Sequence, residues 1–507
     1  MNKIKIYWSL LLAFLIVSSC TQDVLEVYST TKVSAETFWK TESDANLALN
    51  GVYNRLGSYV QNYLYLDVVA DNAYNNYPWE GFKAIADGTH DVWGPGAINW
   101  LWDDAYRGIG RANTFLDNID NVNMPEAKKT VMKGEAIFLR AYFYQQLSDL
   151  YGGVPIVLET PILEHGALPR DSKSDVVAQI VKDLDAAAGM LPETASYPGQ
   201  ATVGAAIALK ARVLLYDEQW GDAASAASQV INMNYSLYPN YRDMFKLEHE
   251  NNEEVIFDAQ YISPEQGNFF DLYLGAGGGT GWQSIVPLQE LVDDFEMTDG
   301  KAIDESDLYD AENPYENRDP RLKQSIFVTG SDYNGIGPLA FQSGTPPKSY
   351  TGFCFKKYTP YDEGVYVEKI GYPTGTGNNI ILMRYADVLL MYAEAKNEVS
   401  GPDASVYDAI NQVRSRESIQ MPDIPAGLSK DEMREVIHHE RRVEFALEGT
   451  RYSDIRRWGI AEDLLDGLVD FGGTRKFNAG RDYLWPIPGK LFDLPDNALE
   501  QNPGYGN

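Results

Sequence analysis

The sequence predicts a mainly α protein, in which tetratricopeptide-like helical pairs form a scaffold beside an irregular, loop-rich lobe with small strands. Three observations support this expectation. Apolar residues recur at helical spacing in both the first and the last parts of the chain. Alanines stand at the positions where paired helices would touch. Between these blocks, residues 233–380 turn to Gly, Pro, Tyr and Asn. At 507 residues, with about 150 per domain, the chain has room for about three domains or one two-lobed body. Its 44% hydrophobic and 23% charged residues are ordinary for a globular protein and exclude disorder and collagen-like structure.

The balance of 42 Lys+Arg against 73 Asp+Glu, a net charge of −31, argues against nucleic acid and against adsorption to anionic lipid. It also disfavours strongly sulfated or uronic-acid ligands. Aromatic residues are abundant, with 33 Tyr, 19 Phe and 10 Trp. Tyr and Trp combine a flat apolar face with a polar handle, so they serve recognition as well as packing.

Taken in order, the chain opens with Lys3 and Lys5, then an apolar run from Ile6 to Val17 that is too short to span a bilayer. Residues 1–19 therefore read as a secretory signal peptide. Val17-Ser18-Ser19-Cys20 resembles a bacterial lipobox, which makes Cys20 the lipidated first residue of the mature chain. Residues 20–37 follow as a polar tether with a reach of up to ~60 Å. With Cys20 lipidated, Cys354 has no disulfide partner.

Residues 38–232 form the first helical region. Thr41-Glu42-Ser43-Asp44 reads as a capping box, with Ala45, Ala48, Val52 and Leu56 behind it and Gly57 as the stop. A second helix carries Trp102, Ala105, Ile109, Ala112, Leu116 and Ile119. A third has Pro125 in its first turn and runs to Tyr151. Residues 171–190 form a fourth. Within residues 201–232, Ala211, Leu214, Trp220, Ala223, Ala227 and Val230 resemble a tetratricopeptide pair, except that Tyr235 stands where a proline is expected. Residues 233–507 form the second region, loop-rich over 233–380 and helical over 381–459. Segments 58–99 and 233–380 are long and irregular, which in a compact protein marks functional loops.

Catalytic patterns are missing. The sequence has no nucleophile elbow, no phosphate loop and no dinucleotide fingerprint. Of His90, His165, His249, His438 and His439, the adjacent pair would diverge by ~100° on a helix and cannot share a metal face. Asp103-Asp104 and Asp293-Asp294 read as solvated helix residues. The charge-rich stretch from Glu440 to Gly459 reads as an architectural ion-pair network.

Several motifs, in order, resemble the SusD/RagB family of outer-membrane nutrient-binding lipoproteins. They are the lipobox, Phe38-Trp39-Lys40-Thr41-Glu42-Ser43-Asp44-Ala45, Lys133-Gly134-Glu135-Ala136 leading into Leu150-Tyr151-Gly152-Gly153-Val154-Pro155, Arg318-Asp319-Pro320-Arg321-Leu322, Arg384-Tyr385-Ala386-Asp387, the Glu440 to Gly459 stretch, and Gln501-Asn502-Pro503-Gly504-Tyr505. The resemblance implies a SusD-like fold, no catalysis, and a glycan or peptide ligand. It also implies a lipid anchor in the outer membrane facing outward, and a SusC-like TonB-dependent transporter as partner. Oligosaccharide is the favoured ligand, with a RagB-like peptide receptor or a tetratricopeptide-type envelope scaffold as alternatives. No cofactor is called for, and a structural calcium ion is left open.

Because binding residues vary within the family, the site is read from physics. Sugars present apolar C–H faces on which aromatic rings stack, while Asp, Asn and Arg bond the hydroxyls. The first irregular segment offers Asp71, Asn72, Tyr74, Trp79 and Trp93, with Asn75, Tyr77 and Asn99 beside them. The second offers Tyr273, Trp282 and Tyr333. Trp102 and Trp220, on helices, are assigned to the core.

Overall fold

The computed structural model describes residues 38–506 apart from 95, 279, 370, 371, 373 and 496. The signal peptide, Cys20 and the tether lie outside the described residues.

Helix α1 (Glu42–Tyr63) opens on the expected capping box: Asp44 N donates to Thr41 Oγ1 at 3.3 Å, and Thr41 N donates to the Asp44 carboxylate at 2.7 Å. Gly57 does not end it. A glycine inside a helix costs only about 1 kcal/mol, less than the roughly 1.5–3 kcal/mol returned by burying a large side chain, and Tyr63 in the turn beyond is buried. Segment 58–99 is thus helical at both ends, because α2 (Ala97–Asn118) already includes Asn99.

There follow α3 (Glu126–Tyr151), which Pro125 caps from outside, α4 (Lys173–Ala188), α5 (Val203–Tyr216) and α6 (Trp220–Ile231). After the loop-rich lobe come α7 (Tyr385–Ser400), α8 (Ala404–Arg414) and α9 (Lys430–Glu444). From α2 to α8 each helix packs on the one before it, α7 meeting α6 across the lobe, and α9 returns to α7. Buried alanines at 205, 208, 211, 223, 226 and 227 let α5 and α6 lie close. Tyr235, at the position lacking the expected proline, lies against Gly204, where a Cβ would come within 2.3 Å of its hydroxyl.

The lobe is closed at its neck by a strand pair. β1 (Ala73–Tyr74) lies before it in the chain; β2 (Val255–Ala259) enters the lobe, β3 (Val286–Pro287) lies within it and β4 (Ile380–Arg384) leaves it. β2 and β4 pair antiparallel, Ala259 opposite Ile380 and Val255 opposite Arg384. β1 and β3 pair antiparallel, Tyr74 opposite Val286, and tie the first irregular segment to the lobe. The main hydrophobic core runs unbroken through scaffold and lobe, and buries Trp102 while Trp220 packs half-buried against it.

Charge joins the two parts as well. Glu444 at the end of α9 accepts from Arg384 at 2.7 Å and from Arg321 and Arg416 at 3.0 Å. Glu440 binds Arg321 and Arg414, Glu254 binds Arg384 and Arg416, and Glu448 binds Arg384 and Lys357. All of these side chains are buried. Burial alone would raise the Glu444 carboxyl, but the three guanidinia hold it far below the ordinary range. The acid pairs expected to be solvated are also engaged: Asp294 bonds Arg442 at 2.6 Å, Asp103 bonds Lys490 and Asp104 bonds Arg55.

Candidate functional site

The sequence candidates divide by burial into a supporting layer and a presented layer. Asp71, Asn72, Tyr74 and Tyr333, expected as ligand contacts, are buried, and each is occupied by the protein itself. Asp71 receives Arg451 at 2.8 and 2.9 Å and Arg442 at 2.9 Å. Burial would raise it, but the two arginines hold it well below the usual carboxylate range. Asn72 donates to Asp67 at 2.6 Å and accepts from Arg442 at 3.1 Å. Tyr74 donates to Asn76 at 2.7 Å, beneath the rings of Tyr350 and Phe471. The Tyr333 hydroxyl accepts from Ala276 N at 3.0 Å and pairs with Thr280 at 2.7 Å, which organises the glycine run ahead of Trp282. These four brace the two irregular segments from inside, and a group whose bonds are satisfied in the core has none to offer outside.

The presented layer is aromatic. Pro78 starts a short 3-10 turn, Pro78–Glu80, that lifts Trp79 into solvent with 73% of its surface exposed. Trp282, at the end of the glycine run, is 44% exposed. Tyr77 connects them: its ring lies 4.8 Å from that of Trp79, and its hydroxyl donates to the Trp282 carbonyl at 2.7 Å. Tyr273, half-buried, stands 5.6 Å behind Trp282 and is itself backed by Tyr65 at 5.7 Å. Polar bonds fix the two loops to each other. Asn75 donates to the Ser284 carbonyl and to Glu80, and the Ser284 hydroxyl donates to Glu80 at 2.7 Å. Burial pushes the Glu80 carboxyl up, which suits an acid held by neutral donors. Glycine packing brings the two ends of the run together: a Cβ on Gly281 would lie 2.4 Å from Gly275 Cα.

Trp93 stands apart. It is 55% exposed, but its ring lies against Gly489, and no ring contact among the described residues joins it to Trp79 or Trp282. Asn99 is spent on the Gly94 carbonyl at 2.8 Å. Sequence reading missed Tyr350, Phe341 and Phe471, which continue the aromatic surface from distant parts of the chain. Nothing local marks them; only the contacts of Tyr350 with Tyr74 and Tyr77, of Phe471 with Tyr74, and of Phe341 with Phe471 do so.

Among the described residues no group of three or more His, Cys, Asp or Glu side chains is placed to hold a metal, and no helix is long and apolar enough to cross a membrane. Cys354 is buried and unpaired, and burial pushes its thiol up to about 12.

Gly81 sets the direction of the Trp79 turn. It sits at φ +83°, and a Cβ there would meet Gly96 Cα at 2.7 Å and Trp100 at 2.9 Å. Gly81→Ala is expected to cost more than about 1 kcal/mol and to shift the indole emission as Trp79 moves. Thermal unfolding followed by tryptophan fluorescence tests this, and an unchanged spectrum and midpoint would refute it.

Comparison with known proteins finds relatives of this chain. A sequence model described as the SusD family matches residues 225–505, and one described as starch-binding, associating with outer membrane, matches residues 23–215. The SusD-like protein P25 of Formosa agariphila is 28% identical and aligns over 98% of both chains. The starch-binding protein SusD of Bacteroides thetaiotaomicron is 27% identical over 85% of this chain and 83% of its own. A solved SusD-like carbohydrate binding protein from Bacteroides fragilis superposes with a TM-score of 0.80 at 28% identity, covering 90% of this chain and 99% of that one. A laminarin binding SusD-like protein superposes at 0.74 with 25% identity, covering 92% and 100%.

Proposed function

The chain belongs to the SusD family, and on that premise we propose that it captures an oligosaccharide on the surface formed by Trp79, Tyr77 and Trp282, with Tyr273 behind. The observation that carries this reading is the exposure of two indoles on loops that are otherwise rigidly bonded. Leaving a large apolar ring in water forfeits the stabilisation its burial would give. A pre-positioned ring recovers that term when a pyranose stacks on it, with little ordering cost at the moment of binding. The names of relatives that bind starch, laminarin and carbohydrate support the same reading.

Cys20 carries the lipid that anchors the chain to the outer membrane, facing outward, and a SusC-like TonB-dependent transporter receives the ligand. The protein makes and breaks no bond; its contribution is affinity and hand-over. The family description of outer-membrane association is in keeping with this.

Affinity electrophoresis in gels containing laminarin or starch tests the binding step, beside a pull-down with a mixed peptide pool. Wild type is expected to be retarded by a glycan, and Trp79→Ala with Trp282→Ala to lose at least about fivefold in affinity, since each stacked ring is worth about 0.5–1.5 kcal/mol. Peptide retention without glycan retention would replace this reading with a peptide receptor. Glycan retention indifferent to both tryptophans would remove the site.

A further inference from the structure

We propose that the saccharide surface runs on from Trp79 and Tyr77 across Tyr350 to Phe471 and Phe341, so that the protein selects a chain of several sugar units over a short one. This rests on the saccharide reading above and adds the length of ligand it takes.

The rings form a continuous path. Successive centroids from Trp79 through Tyr77, Tyr350 and Phe471 to Phe341 are separated by 4.8, 6.4, 5.1 and 6.4 Å. Each step is comparable with one ring of a glycan chain. Phe471 and Phe341 are 49% and 48% exposed, and a phenyl ring, unlike indole or phenol, has no polar handle to repay its contact with water. Polar bonds hold the rings in place: Asn76 accepts from the Tyr74 hydroxyl at 2.7 Å and donates to that of Tyr350 at 2.9 Å, and Lys83, paired with Asp87, lies over the Tyr74 ring.

The far end is built to the same frame as the near end. Phe471 sits in the turn of a hairpin between β5 (Val469–Asp470) and β6 (Gly473–Thr474). Asp470 accepts from Arg475 at 2.7 Å, and the same guanidinium donates to the carbonyls of Val68, Ala70 and Ala73. One buried arginine therefore fixes both the hairpin that presents Phe471 and the segment that leads to Trp79. Gly472 lets the hairpin close on the first loop, since a Cβ there would meet Lys83 at 2.7 Å and Tyr74 at 3.1 Å. A surface set in advance over this length rewards a ligand that covers all of it, because the second contact is made within one molecule.

The test is titration calorimetry with two oligomer series, laminaribiose to laminarihexaose and maltose to maltohexaose. Wild type should bind the hexasaccharide of one series much more tightly than the disaccharide. Phe341→Ala with Phe471→Ala should weaken the hexasaccharide about tenfold and the disaccharide less than about twofold, whereas Trp79→Ala should weaken both. Phe471→Trp should strengthen the hexasaccharide alone. The unchanged disaccharide affinity reports that the double variant is folded. If the phenylalanine variants leave the hexasaccharide unaffected, or weaken both lengths alike, the extension is refuted and the saccharide site stands. If wild type binds neither series, the saccharide reading fails first.

Discussion

Replacing Glu444 with glutamine is expected to destabilise the protein by about 3–5 kcal/mol, the range for removing one partner of a buried ion pair. The substitution keeps the shape of the side chain and deletes the charge on which Arg321, Arg384 and Arg416 converge. Those guanidinia remain buried, with their positive charges less completely compensated by Glu254, Glu440 and Glu448. Because Arg321 belongs to the lobe, Arg384 to β4 and Arg416 to the segment after α8, the damage falls on the seam between scaffold and lobe. Urea denaturation measures it. A change below about 1 kcal/mol would mean that the network fixes geometry without contributing net stability. The sign with pH follows from the same bonds. Glu444 is held far below its unfolded value, and Glu394, buried beside Arg457, is held at about 2. Their stabilisation is fully present above the ordinary carboxylate range and is lost as the pH falls through the folded values.

Glu135 behaves in the opposite sense, and Glu135→Gln is expected to stabilise the protein at pH 8. This carboxyl on α3 is buried and bonded by the Tyr53 hydroxyl at 2.6 Å, and burial pushes it up to about 7. An acid whose folded pKa lies above its unfolded one holds its proton in the folded chain after the unfolded chain has lost it. Its cost is therefore absent below about pH 4.5, grows as the pH rises to 7, and is constant above. The gap corresponds to about 3 kcal/mol. Melting temperatures of wild type should fall between pH 5 and pH 8, and Glu135→Gln should flatten that fall. Asp67 and Asp258, each raised to about 6 by burial, preserve part of the slope. An unchanged slope in the variant would show that Glu135 stays ionised in the fold.

Helices were legible because their signals are local. The Thr41 capping box, the alanines of α5 and α6 and the apolar stripe of α2 each lie within a few turns, and each forms the element it suggests. Gly57 misled because its local preference is small against the burial that continues beyond it. At the site, residue type separated useful from useless loops only in part. Trp79 and Trp282 are presented, yet Tyr74 and Tyr333 carry the same aromatic label and are buried to 2% and 1% exposure. Asp71 and Asn72 look like hydroxyl binders and are instead partners of Arg442 and Arg451, more than 360 residues away along the chain.

By itself, then, the order of the residues determined the helical scaffold, the place of the loop-rich lobe between α6 and α7, and the kinship. Those depend on spacing and on motifs that survive reading in one dimension. Only the tertiary structure decided which rings face water. Burial is settled by partners brought in from far along the chain: Arg475 beneath the first loop, Tyr333 beneath the glycine run, Tyr350 and Phe471 beside Tyr74. A side chain stays exposed until such partners arrive to cover it, so no pattern of near neighbours records which ones will be buried.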